Sequence, residues 1–434
     1  MAVNVFSLHF FEGSFFMKVV RKICCGADIH KDLIVATIAT TNQEGITEYL
    51  QTSFCTQNYD LFNFKSWLKE HNCFEVAMES TGKYWIPIFN VLEDEIKISL
   101  VHPKYTKSIK GKKTDKKDSK WIADLFKYDL VKSSFIPPKE IRQIRDLCRY
   151  RIKLIGMRTS ERNRYQNCMT MSNIGLASIL SDSFGKSSKA IMNEVLTSKS
   201  ITEDRIKQLL KKSAKKKSEE VFNSLKDCNI ESDQRLKMKV ITEHMEHLDK
   251  HIEDIETEII KRCVPYSVHI ENMVRITGIS YMSAMTILGE IGADMEVFES
   301  DKQLISWAGL APANNESAYK KKSVRISKAG AYLKPLLVQC ALSAIKSTDP
   351  YFRNKYNNIK KRRGHKKAII ATARKLLVAI YHMIETGEIF NPSDYEELTN
   401  PKPSKNKNIS KEEALAVLQN LGYDISSISA QMSQ

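Results

Sequence analysis

The sequence predicts an α/β domain at the N-terminal end followed by a mostly helical remainder. Three observations carry that expectation. Over the first 138 of 434 residues, β-rich runs are interleaved with helical spacing. The pair Pro137-Pro138 then marks a boundary. Beyond it, apolar residues recur every three or four positions in a lysine-rich background.

Each element follows from its residues. Ile23–Ile29 and Leu33–Thr40 are β-rich runs separated by the turn-like His30-Lys31-Asp32, and Ile46–Ser53 is a third run. Their short links predict an antiparallel meander. Tyr59–Glu70 carries Leu61, Phe64, Trp67 and Leu68 at helical spacing. Phe74–Met78 reads as a fourth strand ending at Glu79. Tyr84–Leu92 reads as a helix whose start is confined by Pro87, and Ile96–Val101 as a fifth strand. Thr114–Asp129 sets Trp121, Ile122, Leu125 and Phe126 on one helical face. The order βββαβαβα is that of the ribonuclease H-like fold.

From Lys139 to about Arg262 the pattern is helical and polar. Ile241, Met245, Leu248, Ile252, Ile255 and Ile259 predict an elongated helical or coiled-coil arm, with breaks at Ser181–Ser188 and Lys211–Lys217. From Val264 glycines return, and apolar helices with short loops predict a compact helical domain to about Phe390. Asn400–Ser410 reads as a linker and Lys411–Leu421 as a short amphipathic helix. The expected organisation is an extension over 1–19, an α/β domain over 20–138, an arm over 139–263, a C-terminal helical domain over 264–391, and a linker with tail helix over 392–434. Met1–Phe16 lacks the basic start and cleavage site of a signal peptide. Met17 directly precedes the first strand pattern and is a second candidate start of translation.

Composition narrows the function. The apolar fraction of 42% and charged fraction of 27% rule out wholesale disorder. Lys and Arg number 67 against 51 Asp and Glu, a net charge of +16 that points to a polyanion, most often nucleic acid. The bland alternative is a merely basic protein. Nine cysteines, an odd number without zinc-type spacing, read as reduced thiols of a cytoplasmic protein. The longest uncharged stretch, Tyr165–Ser181, is too polar to span a membrane.

Four acids of the first domain stand out: Asp28 on the first strand, Glu79 after the fourth, and Asp115 and Asp118 three apart at a helix start. On a ribonuclease H-like sheet the first and fourth strands are neighbours and the last helix crosses beside them, so all four converge. Carboxylates suit magnesium, and two such ions about 4 Å apart can clamp both oxygens of a phosphodiester exchange. Singly, each acid has a structural reading: Asp115 and Asp118 favour a helix N-terminus, and Glu79 caps a turn. Asp28 is harder to dismiss, because a carboxylate on a strand of Ile and Ala is costly to bury unpaired. Around them, Lys104, Lys107, Lys110, Lys112, Lys113, Lys116, Lys117 and Lys120 lie where a phosphate backbone would run, or else form a solvated face.

These blocks resemble a known family. Gly26-Ala27-Asp28-Ile29-His30-Lys31, Met78-Glu79-Ser80-Thr81-Gly82-Lys83-Tyr84-Trp85 and Lys113-Thr114-Asp115-Lys116-Lys117-Asp118 are similar to the signatures of the DEDD transposases of bacterial and archaeal insertion sequences, relatives of the Piv-type DNA invertases. Ile276-Thr277-Gly278-Ile279-Ser280 to Gly292 resembles the family's helix-hairpin-helix-like segment. Trp307-Ala308-Gly309-Leu310-Ala311-Pro312, Glu316-Ser317 and Ile326-Ser327-Lys328-Ala329-Gly330 resemble its transposase block. The resemblance implies a RuvC-like catalytic domain using Mg2+, with Mn2+ as the alternative. It implies Ser317 as a nucleophile that forms a covalent link to DNA; from the residues alone, Tyr319, Ser323 and Ser327 are equal rivals. Donor and target DNA, a structured guide RNA, and homodimers or homotetramers with composite active sites are also implied, in a nucleoid-associated prokaryotic protein. Lys320, Lys321, Lys322, Arg325 and Lys328 fit phosphate contacts near the serine. Lys360–Arg363, His365, Lys366 and Lys367 form a second basic cluster. Two alternatives remain at this stage: a metal-dependent nuclease of the Holliday-junction type that uses water, and a non-catalytic nucleic-acid-binding derivative.

Overall fold

The structure, a computed structural model, describes residues 18–79, 82–101, 114–198, 201–226, 228, 230–312, 315–317, 320–323, 325–399, 417 and 419–420. It divides into two compact units, Met1–Ile136 and Pro137–Gln434.

The first unit is built on one mixed sheet. Strands β1 (Ile23–Ile29), β2 (Leu33–Thr41) and β3 (Thr47–Cys55) form the expected antiparallel meander. After helix α1 (Asn58–Glu70), β4 (Glu75–Glu79) returns beside β1 and parallel to it. Helix α2 (Trp85–Leu92) leads to β5 (Lys97–Val101), parallel to β4, and helix α3 (Asp115–Lys127) follows. The order is β3-β2-β1-β4-β5, consistent with a ribonuclease H-like arrangement.

Period-two alternation assigns the two faces. Cys25, Ala27, Ile29, Val76 and Met78 pack with Phe64, Leu68, Ile88 and Leu92 of α1 and α2. Cys24 and Ala77 pack instead with Ile122, Ala123 and Phe126 of α3. Asp28 keeps the parity of Cys24, and Glu79 keeps that of Ala77. Both acids therefore belong to the α3 face.

In the second unit, α4 (Lys139–Met171) is followed by short helices α5 (Leu176–Ile179), α6 (Lys186–Thr197), α7 (Glu203–Leu209) and α8 (Ser218–Leu225). The chain then returns along α9 (Ser232–Cys263). Ion pairs Arg151–Glu256, Arg158–Asp249 and His244–Glu161 show that α4 and α9 run antiparallel. Leu154, Leu248 and Ile252 fill the seam between them. Of the six expected positions, Ile241, Met245, Leu248, Ile252 and Ile259 are buried, and Ile255 is partly buried against the seam. Tyr165, Met169, Met238 and Ile241 pack with the short helices in a separate core.

Helices α10 (Ser267–Val274), α11 (Tyr281–Ile291) and α12 (Asp301–Trp307) come next. Ser280 caps α11 by accepting from Ser283 N at 3.2 Å. Arg149 forms a bidentate pair with buried Glu290 at 2.7 and 2.8 Å, and Arg145 donates to Gly289 O and Glu290 O. A small hairpin, β6 (Asn315–Ser317) with β7 (Lys320–Ser323), precedes α13 (Leu333–Ala344), α14 (Pro350–Arg363), α15 (His365–Thr386) and α16 (Tyr395–Thr399). Among the described residues no helix is long and apolar enough to cross a membrane. None of the nine cysteines is in a disulfide.

Candidate active site

Helix α3 lies directly on the middle of β1. A Cβ on Gly26 would overlap the backbone N of Ala123 and the carbonyl of Ser119, and would sit 2.8 Å from Ala123 Cα. Only glycine permits that approach. Two residues further along the same face stands Asp28, beside the first turn of the helix.

A polar clamp fixes that turn. Thr37 of β2 and Ser119 of α3 are buried and share a hydrogen bond of 2.7 Å between their hydroxyls. Gln51 of β3 donates through Nε2 to Thr37 Oγ1, Ser119 Oγ and Lys116 O at 2.8, 3.1 and 2.8 Å. One amide thus ties the strands to the helix start. Thr114 caps the helix, its side chain accepting from Lys117 N. Asp115 and Asp118 both lie in the first turn, where the exposed N–H groups favour negative charge.

Asp28 is largely buried, with 13% of its side chain exposed. Its carboxyl is held above the usual range. Burial is the main cause, and the charges of Glu79, Asp115 and Asp118 add to it, while His30 opposes it. His30 Nε2 lies 3.3 Å from Asp28 Oδ2 and 3.5 Å from Asp115 Oδ1. Ligand atoms of Asp28, His30 and Asp115 all fall within 4.8 Å of one another, a spacing that suits one ion. Glu79 ends β4, opposite Val101 of β5, and with Asp118 lies close enough to shift Asp28 but outside that tight group.

The donor set fits a divalent cation. Acids crowded onto one partly buried carboxylate repel one another, and a dication relieves both the repulsion and the burial cost. His30 was not among the residues expected at the site. Its one signal was position: it lies two residues after Asp28, in the turn that directly follows β1.

Other expected residues are placed as follows. Lys116 and Lys117 are exposed on the first turn of α3, and Lys120 lies 3.8 Å above the ring of Tyr49 and pairs with Asp124 at 3.1 Å. Lys104, Lys107, Lys110, Lys112 and Lys113 lie outside the described residues. The segment bearing Ser317 pairs in a hairpin rather than forming the plain loop its polar residues suggest. Ser317 is opposite Lys320, and Glu316 opposite Lys321, with a register shift at Asn315. Lys322 lies on β7; Arg325 and Lys328 are exposed beyond it. Tyr319 lies outside the described residues.

The base of the hairpin is held by backbone contact. Pro312 bridges Ile326, and two loops meet at Gly309 and Gly330, both at positive φ. A Cβ on Gly309 would lie 2.5 Å from Ala329 O, and one on Gly330 would overlap Ala308 O. Lys334 Nζ ties the second loop through Ser327 O and Ala329 O at 2.7 and 2.8 Å. The glycines of the transposase-like block are thus where two chain segments touch without side chains. A second basic surface, Lys360–Lys367, is exposed from the end of α14 into α15.

Two known family models match the chain. Residues 25–174 match a DEDD transposase model of the IS110 type, described as a transposase. Residues 271–357 match a second model, described as Transposase IS116/IS110/IS902 family. Together they span more than half of the chain. No curated protein matches it. The first match contains Asp28, Glu79, Asp115 and Asp118, and the second contains the hairpin and both of its glycine contacts. The chain therefore belongs to the IS110-family DEDD transposases, enzymes that act on DNA through a site for a divalent metal ion.

Proposed function

We propose that this transposase cleaves and rejoins the DNA of an insertion sequence, with metal held by Asp28, Glu79, Asp115 and Asp118 and with Ser317 as nucleophile. The observation that carries the reading is Asp28. It is a largely buried carboxylate that feels three further acids, within residues that match the DEDD transposases. The ion is Mg2+, with Mn2+ as the alternative, and when bound it supplies Lewis acidity at a phosphoryl oxygen.

The protein's own groups do the rest. Asp28 and Asp115 present their oxygens from a central strand and a clamped helix turn, so the donors are fixed before substrate arrives. Ser317 Oγ attacks phosphorus: an Oγ–P bond forms and the bond to one deoxyribose oxygen breaks. The hydroxyl proton is given up, and the leaving oxygen takes one. The link conserves the phosphodiester bond energy, so rejoining is the reverse step. Lys104, Lys107, Lys110, Lys112, Lys113, Lys116, Lys117, Lys320, Lys321, Lys322, Arg325 and Lys328 hold phosphates without reading sequence.

In the same reading the first domain, 20–138, is RuvC-like, 139–263 is the arm, and 264–391 carries the helix-hairpin-helix-like segment and the serine. A structured RNA selects donor and target DNA, and the working assembly is a homodimer or homotetramer at the prokaryotic nucleoid.

Strand cleavage by Asp28→Asn tests the reading. The substitution keeps shape and removes one anionic donor. Cleavage should be lost while DNA binding persists. Cleavage at the wild-type rate would overturn the metal assignment.

A further inference from the structure

The DEDD acids leave one close neighbour unused. We propose that His30 is a further protein ligand of the divalent ion, binding through Nε2 beside Asp28 and Asp115; this rests on the metal reading above. The geometry favours ligation over a hydrogen bond. At 3.3 and 3.5 Å, both contacts of Nε2 are longer than the usual 2.9–3.0 Å of an N–H···O bond. Adjacent ligands of an octahedral ion with bonds near 2.1 Å lie about 3 Å apart, close to the spacing seen here.

The backbone presents the ring rigidly. His30 N donates to Leu33 O at 2.8 Å, closing the turn between β1 and β2. Asp28 lies near the end of β1 and His30 directly follows its last residue, while Asp115 lies in the first turn of α3. Three donors thus come from two elements held in register by Gly26 and Gln51. The imidazole is half exposed, so it does not serve to fill the core.

A nitrogen ligand has a chemical consequence. Imidazole suits transition ions better than it suits Mg2+, which prefers oxygen. The site should therefore hold Mn2+ against Mg2+ more strongly than an all-carboxylate site would.

The test is pulsed electron paramagnetic resonance on the full chain with Mn2+ alone. Wild type should show the nitrogen modulation of a directly bound imidazole. His30→Ala should lose it and bind Mn2+ at least about tenfold more weakly, with an unchanged unfolding temperature. His30→Gln, which offers an oxygen at similar reach, should also lose the modulation but keep more of the affinity. Mn2+ bound by wild type without nitrogen coupling, or coupling that survives in His30→Ala, would overturn the role of His30 and leave the carboxylate site standing. Failure of wild type to bind Mn2+, or equal binding by Asp28→Asn, would overturn the carboxylate reading and the His30 assignment with it.

Discussion

Asp28 concentrates the physics of the site. Its carboxyl is held above the usual range by burial first and by neighbouring acids second. The folded protein therefore binds that proton more tightly than the unfolded chain does. Stability falls as pH rises through this titration and stays lower above it. Asn at this position cannot ionise, so metal-free Asp28→Asn should be more stable than wild type at neutral pH, and the gain should vanish in acid. Thermal unfolding in chelator at two pH values measures this; a neutral-pH loss of stability would contradict it. Catalysis should move the other way, falling by at least about a hundredfold. On α4, pairing matters in the same manner. Glu290 is buried and relies on Arg149. Arg149→Met leaves that carboxylate without its bidentate partner and should cost about 3 kcal/mol in denaturant unfolding.

At the scale of elements, the contact of β1 with α3 places the acids. Gly26→Ala would drive a methyl into backbone that cannot move without shifting the helix, at a cost of about 3 kcal/mol. Soluble, fully active Gly26→Ala would show that the helix is not so confined. Thr37→Val removes one hydroxyl of the buried clamp and should cost about 1 kcal/mol, with a further loss of activity as the first turn of α3 loosens. Much of this architecture was legible beforehand. β1 runs over Ile23–Ile29 as its β-branched and small residues indicate, and the element order put Asp28 and Glu79 on neighbouring strands, as the pairing of β1 with β4 has it. The clamp was not legible, because Gln51 looks like any exposed strand residue until α3 is laid over it. The hairpin around Ser317 was missed for a different reason. Lys320–Ser323 has no apolar alternation, and its pairing depends on loops joined at Gly309 and Gly330, far apart in sequence. His30 was not legible as a ligand, because Mg2+ prefers oxygen and an imidazole after a strand has no metal-binding spacing.

On the scale of the whole molecule, the net charge of +16 sets how nucleic acid is held. Changing Lys112 and Lys113 together to Ala should weaken binding to all sequences alike. It should also flatten the dependence of log affinity on log salt by about 0.9 for each phosphate that is no longer neutralised. An unchanged slope would mean that these lysines only face solvent. The proposed step is attack by Ser317 on DNA, driven by metal-dependent carboxylates. Its most direct test is a denaturation-resistant protein–DNA adduct, formed with Mg2+, DNA and the RNA flanking the gene and mapped by mass spectrometry of the linked peptide. An adduct is expected at Ser317 in wild type and none in Asp28→Asn or Ser317→Ala, although both variants still bind DNA. An adduct at Tyr319, Ser323 or Ser327, or one formed by Asp28→Asn at the wild-type yield, would contradict it.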